Sequence, residues 1–240
     1  MQNGTIVFEN GKITSLNGAV PSNAKVISAA GKHVYPGFIL LNNSLGLVEI
    51  AATNATVDYR EANAFMPEIR TLIAFNTDSH VIPVIRTNGV LLTQPVMASG
   101  VLKGTSSVMK LDAWNWEDAV VSKDNVLHVS WPANRKSTDE KRNREMKERR
   151  DAALLELKSL FLRAKTYVPK SGIKDYKLEA IEPVYTGGKT VFIEVPGANE
   201  ALEAIKFAQD NGFRKTVLLG DASLTLSLIH ILTLPTKRIV

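Results

Sequence analysis

Residues that could do chemistry are few in this chain and lie far apart. Glu194 closes the β-rich run TVFIE, Asp112 opens DAWNWED, and Thr105, Ser106 and Ser107 follow Gly104 in GTSSVM. A carboxylate at either of the first two positions could act as a general base. Three hydroxyls beside a glycine could bind an anion or donate to a substrate, while a capping turn explains the same pattern more simply. Trp114 and Trp116 stand among acids at 112–118, where a sugar or an amine could stack; aromatic packing under a loop is the simpler reading. TGGKT at 186–190 resembles the end of a phosphate-cradling loop, but Pro183 takes the place of the first glycine and a strand, not a helix, follows. With no cysteine in the chain, disulfides and thiolate metal sites are excluded, and the compartment stays open.

The elements that must position these groups follow from local pattern. TIVFENGKITSLNG alternates β-formers around Asn10-Gly11, a strong hairpin signal. AKVISAAGKHVYPG predicts a further strand running into a turn at Pro36-Gly37, so residues 1–35 read as part of a small β-domain. From Phe38 onward apolar strands alternate with helical stretches, which points to α/β architecture. A helix is predicted over 137–167, opened by Ser137 with Glu140 as a capping box. Along it Met146, Ala153, Leu157, Leu160 and Ala164 share one face. Its first half is charged all round, so its front should project into solvent while its rear packs. TVFIEV, PGANEALEAIKFAQDNGF and KTVLLG then form a βαβ unit, its helix opened by Asn199 and closed at Asn211-Gly212. Such a unit needs a parallel sheet, and ligands bind such sheets at the carboxyl ends of the strands. That singles out Glu194 and the Gly220-Asp221 loop.

Composition narrows the classes. The chain has 240 residues, 45% hydrophobic and 22% charged, in the globular range. No apolar run approaches the roughly 20 residues that span a bilayer, and the first residues lack a signal-peptide pattern. The net charge of +5 is concentrated: residues 135–150 hold eight Lys/Arg against four Asp/Glu, and Lys237 and Arg238 add two more. The basic run interleaves acids and has no aromatic partner for base stacking, so a solvated helix face explains it better than nucleic-acid binding.

The hairpin with NGKI, followed by GKHVYPGFI leading into a strand, resembles the amidohydrolase superfamily, especially its imidazolonepropionase-like and related cyclic-amide hydrolase members. NTDSHVIPVIRTNGV and GTSSVMKLDAWNWEDA look like a divergent bacterial branch, and the resemblance covers about residues 1–224. In that family a small β-sandwich precedes a (β/α)₈ barrel whose first strand reads Pro-Gly-Phe-Ile-Asp-x-His-x-His. Pro36, Gly37, Phe38 and Ile39 match; Leu40 replaces the aspartate, and Asn42 and Ser44 stand where the two histidines belong. A later family strand ends in histidine where TVFIE carries Glu194, and the next one's histidine falls near Leu219.

The resemblance implies an α/β fold, a partial TIM-type barrel over 36–224 preceded by part of a β-sandwich, and family chemistry that hydrolyses C–N bonds of non-peptide, often cyclic, amides. Zinc serves that family, but an amide and a hydroxyl do not replace imidazole as ligands, so no cofactor is expected here. Glu194 with scattered His33, His80 and His128 makes no convincing metal site, and hydrolysis is expected to be lost or altered. Asn42, Ser44, Glu194, Asp112 and the 105–107 hydroxyls are the expected lining for a small-molecule ligand or amide substrate. The alternative is a non-catalytic binding or partner subunit, with a second copy or a paralogous chain as partner. Eight strand-helix repeats take ~250 residues beyond the β-domain, so the chain reads as a fragment, and LSLIHILTLPTKRIV at its end reads as a non-native tail over 225–240.

Overall fold

The computed structural model describes residues 4–168 and 174–220, and the chain divides into two units at Gly37/Phe38. Asp221 and the expected tail lie outside the described residues.

In the first unit, β1 (Ile6–Glu9) and β2 (Lys12–Leu16) pair antiparallel. Asn10 and Gly11, at φ 51° and 75°, supply the two left-handed residues that a tight hairpin turn of this kind requires. The strand predicted over AKVISAAGKHVYPG does not form. Val26 and Ile27 are 75% and 76% exposed, and the hairpin's sheet has only two strands among the described residues. β-branched residues favour a strand where a ladder partner and a buried face exist, and this segment has neither.

The second unit is mixed α/β, built on one curled, half-barrel sheet of six strands. These are β3 (Phe38–Asn43), β4 (Val90–Pro95), β5 (Leu102–Lys110), β6 (Val120–Ser130), β7 (Thr190–Glu194) and β8 (Thr216–Leu219), adjacent in that order. β3 and β4 are parallel, as are β6, β7 and β8; β5 runs against both of its neighbours. Five strands therefore end on one rim, at Asn43, Pro95, Ser130, Glu194 and Leu219, and the start of β5, Leu102-Lys103, joins them there.

Two short helices, α1 (Val81–Thr87) and α2 (Trp116–Ala119), attend the first strands. Beyond β6 follow α3 (Glu140–Lys165), α4 (Tyr176–Ile181), α5 (Pro183–Thr186) and α6 (Ala198–Asn211). α3 starts later than predicted. Asp139, not Ser137, caps it, accepting from the amides of Lys141 and Arg142, and the Ser137 hydroxyl instead accepts from the Asp139 amide. Carboxylate and hydroxyl both cap well, but only Asp139 has the amides of the first turn within reach. Buried residues on α3 are Leu157, Leu160, Phe161 and Ala164, all in the second half, as the charge pattern predicts. Phe161 meets Phe207 of α6 and Phe213 at ring separations of 5.5 and 4.9 Å. With Leu127, Val129, Val191 and Ile193 from the strands, these rings form the main core, each buried side chain worth roughly 2 kcal/mol.

The βαβ unit of β7, α6 and β8 forms as the sequence predicts, and Gly212 closes α6 in the left-handed conformation at φ 73°. Its opening differs: Gly197, not Asn199, is the cap residue, and its carbonyl receives the Ala201 amide. GTSSVM is a buried strand within β5 rather than a capping turn. Of the two tryptophans, Trp116 packs against the cluster of Leu72, Phe75, Ile82 and Met109, whereas Trp114 is 88% exposed.

Candidate functional site

Glu194 is set on the rim by backbone. It pairs in register with Ser130 of β6 and Leu219 of β8, and its carbonyl accepts from the Trp131 amide at 2.8 Å. Its carboxylate is not free: Lys103 Nζ lies 2.6 Å from Glu194 Oε2. Lys103 sits at a shift of the β5–β6 register between Leu102 and Gly104, and such bulges re-aim a side chain. Gly104 is needed there. At φ 95° its backbone passes so close to the crossing segment that a Cβ would stand 2.5 Å from the Ile69 carbonyl oxygen.

Below this pair, Ser106 Oγ and His128 Nε2 are 2.6 Å apart, and both residues are buried. His128 stands opposite Gly104 in the ladder, so Ser106 is its diagonal neighbour, and the Phe192 ring meets the imidazole edge-on at 5.5 Å. Burial, and secondarily the Lys103 ammonium, holds the pKa of His128 down at about 3. The ring is therefore neutral near pH 7. A hydroxyl beside an imidazole resembles an activated nucleophile, but Ser106 has no exposed surface and no substrate reaches it. The contact is a packed hydrogen bond.

The other expected lining residues separate. Thr105 Oγ1 donates to the Ile69 carbonyl at 3.2 Å, and Ser107 Oγ accepts from the Asp124 amide at 2.8 Å. Both are buried, so the three hydroxyls are spent inside the sheet rather than lining an opening. Asp112 lies past the far end of β5, where Leu111 bonds Leu91, and its carboxylate pairs with Arg86 at 3.1 Å. It stands at the opposite rim from Glu194. Asn42 and Ser44 do sit at the rim, flanking the end of β3. Asn42 has φ 49°, a left-handed conformation that asparagine tolerates better than most residues, at a break in the β3–β4 register. The residue between them is the one most tightly built in: Asn43 donates to the carbonyls of Leu40 and Gln94 and accepts from Leu45 and Thr93.

These donors do not fit zinc. Glu194 is engaged by a cation, His128 Nε2 by Ser106, and among the described residues no three His, Asp or Glu side chains converge to hold a metal. What the rim does offer is a cleft of about 570 Å³ where the ends of β6 and β7 face the first half of α3. Ser130, Trp131, Glu194 and Pro196 line it from the strand side, and Met146 and Arg149 from α3.

No family model matches the sequence, and no curated protein matches it. Among solved structures, the crystal structure of an amidohydrolase from Thermotoga maritima MSB8 superposes with a TM-score of 0.75 at 21% identity, over 89% of this chain and 58% of that one. The chain thus spans less than two thirds of that protein's length. The likeness establishes an amidohydrolase-like fold for this chain, in agreement with the half-barrel and with the resemblance read from GKHVYPGFI.

Proposed function

We propose that this chain is an amidohydrolase-like protein of the imidazolonepropionase-like branch that binds a small molecule at the strand-end rim and has lost or altered the hydrolysis of C–N bonds. The half-barrel then corresponds to the first strands of a TIM-type (β/α)₈ barrel. The observation that carries the reading is the Lys103–Glu194 pair at 2.6 Å, a cation of the protein's own on the rim carboxylate. With Asn42 near the end of β3 and Ser44 just beyond it, the rim holds amides, hydroxyls and a neutralised acid. Such groups orient a ligand well. They activate water poorly, because none lowers its pKa from 15.7 toward ~7 as a bound metal does.

The test is turnover of a hydantoin and a simple lactam by the purified chain, alongside elemental analysis. Zinc well below one equivalent and no turnover are expected. Turnover lost to chelators would overturn the reading in favour of a metal hydrolase. Turnover abolished by Glu194→Gln but untouched by chelators would overturn it in favour of metal-free general-base catalysis.

A further inference from the structure

We propose that the rim cleft is a binding site for a small organic oxyanion, a carboxylate or phosphate ester, gripped by Arg135 and Arg149. The inference deepens the reading of a ligand-binding rim and rests on it. At about 570 Å³ the cleft has the size of a small-molecule site. Its charged lining is Arg135, Arg149, Arg150 and Glu194. Two of these four are already engaged. Glu194 is neutralised by Lys103, so it does not repel an incoming anion. Arg150 pairs with Glu203 and donates from Nε to the Pro132 carbonyl at 3.2 Å. Among the described residues Arg135 and Arg149 are in no ion pair, and both are exposed at the cleft. Two free guanidiniums from different segments, one following β6 and one on α3, facing a shared cavity are suited to bidentate contacts with a planar or tetrahedral oxyanion.

The rest of the lining specifies what the anion is attached to. Val101, Met146, Pro132 and Pro196 offer apolar surface beside the guanidiniums, which suits a ligand with a hydrocarbon body. This also accounts for the charge distribution along the chain. The basic excess at 135–150 begins and ends at cleft-lining arginines, while the acids interleaved with it, such as Glu145 and Glu148, do not line the cleft.

Calorimetric titration of the whole chain with glutarate, inorganic phosphate and neutral glutaramide tests this, with Trp131 fluorescence as a second readout because that ring lines the cleft. Saturable binding of at least one anion at about one per chain is expected, with none of glutaramide; which anion binds identifies the carboxylate or the phosphate ester. Arg135→Gln and Arg149→Gln should each raise Kd about tenfold. Arg144→Gln, on the same helix but outside the cleft, should leave it within about twofold. Thermal melting of each variant separates loss of binding from loss of fold. Absence of binding by both anions up to about 10 mM, equal binding of glutaramide, or an equal effect of Arg144→Gln would each overturn the proposal. Turnover of a hydantoin by the parent would overturn the non-hydrolytic reading while leaving the anion measurement to stand or fall on the arginine variants.

Discussion

The Lys103 ammonium and the Glu194 carboxylate, 91 residues apart in sequence, meet at 2.6 Å, with the lysine side chain 10% exposed and the glutamate 47%. The pair is asymmetric: the cation is nearly buried and the anion half in water. Removing the carboxylate strands a desolvated charge, whereas removing the ammonium leaves a carboxylate that water solvates.

Glu194→Gln should therefore cost about 1–2 kcal/mol of stability, reduced from the fully buried case by the solvent at Glu194, and Lys103→Met less than about 1 kcal/mol. Urea unfolding of the two variants decides it. If Lys103→Met proves the more damaging, the lysine contributes through its packed stem and not through the pair.

His128 makes stability sensitive to acid. Its folded pKa is held down at about 3 from an ordinary value of 6.5. The unfolded chain thus takes up a proton on this ring first as pH falls, and stability drops from 6.5 downward toward 3. At pH 5 the loss is about 2 kcal/mol relative to pH 7.5, since only the unfolded form is protonated there. His128→Gln keeps a polar partner for Ser106 without a titrating ring. Its stability should be flatter between pH 7.5 and pH 5 than the parent's, and an unchanged slope would show that other groups set the acid limit.

What could be read without coordinates was what nearest neighbours in sequence determine. Asn10-Gly11 predicts its own hairpin, the recurrence of apolar residues at three- and four-residue intervals predicts the rear of α3, and the β7–α6–β8 unit announces itself by composition. Local pattern misleads where tertiary partners decide. Val26 and Ile27 have strand propensity but no ladder, and the three hydroxyls of β5 point at Ile69, His128 and Asp124, residues that no local pattern associates with them. The place of Glu194 at the end of β7 was legible because a strand end is a local feature. Lys103 was not, because its role depends on a bulge and on a partner two strands away in β7. Nor was Asn43: the neighbouring Asn42 and Ser44 drew the comparison with histidines, while the amide between them holds β3 to β4.

Gly104→Ala tests the crossing at that bulge. An added Cβ meets the Ile69 carbonyl oxygen at 2.5 Å, a backbone atom fixed by the Thr105 amide at 2.7 Å, and φ 95° is unfavourable for alanine. A cost of about 2–3 kcal/mol is expected, with Lys103 displaced from Glu194. Gly11→Ala is the control, since it has a positive φ but nothing within 4 Å of the new methyl. Equal losses in the two variants would attribute the whole effect to backbone conformation and none to the close approach.

The base side of the stability profile depends on Lys189, whose Nζ donates to the Ala180 carbonyl at 2.7 Å. Burial, partly offset by Asp124 and reinforced by Arg70, pushes its pKa down to about 8 from 10.5. Between those values the unfolded chain holds the proton that the folded chain has released, so this group adds stability as pH rises from 8 toward 10. Tyr185 sets the upper bound. Its hydroxyl donates to the Phe161 carbonyl at 2.6 Å and burial raises its pKa well above 10.0, so above pH 10 the unfolded tyrosine ionises first and stability falls. Lys189→Met should lose the rise between pH 8 and pH 10, on the order of 1 kcal/mol after allowance for the lysine's partial exposure, and keep the fall above it. Tyr185→Phe should do the reverse. Denaturant midpoints of parent and both variants at pH 7, 8, 9 and 10.5 separate the two groups, and a rise that survives in Lys189→Met would place the titrating base elsewhere in the chain.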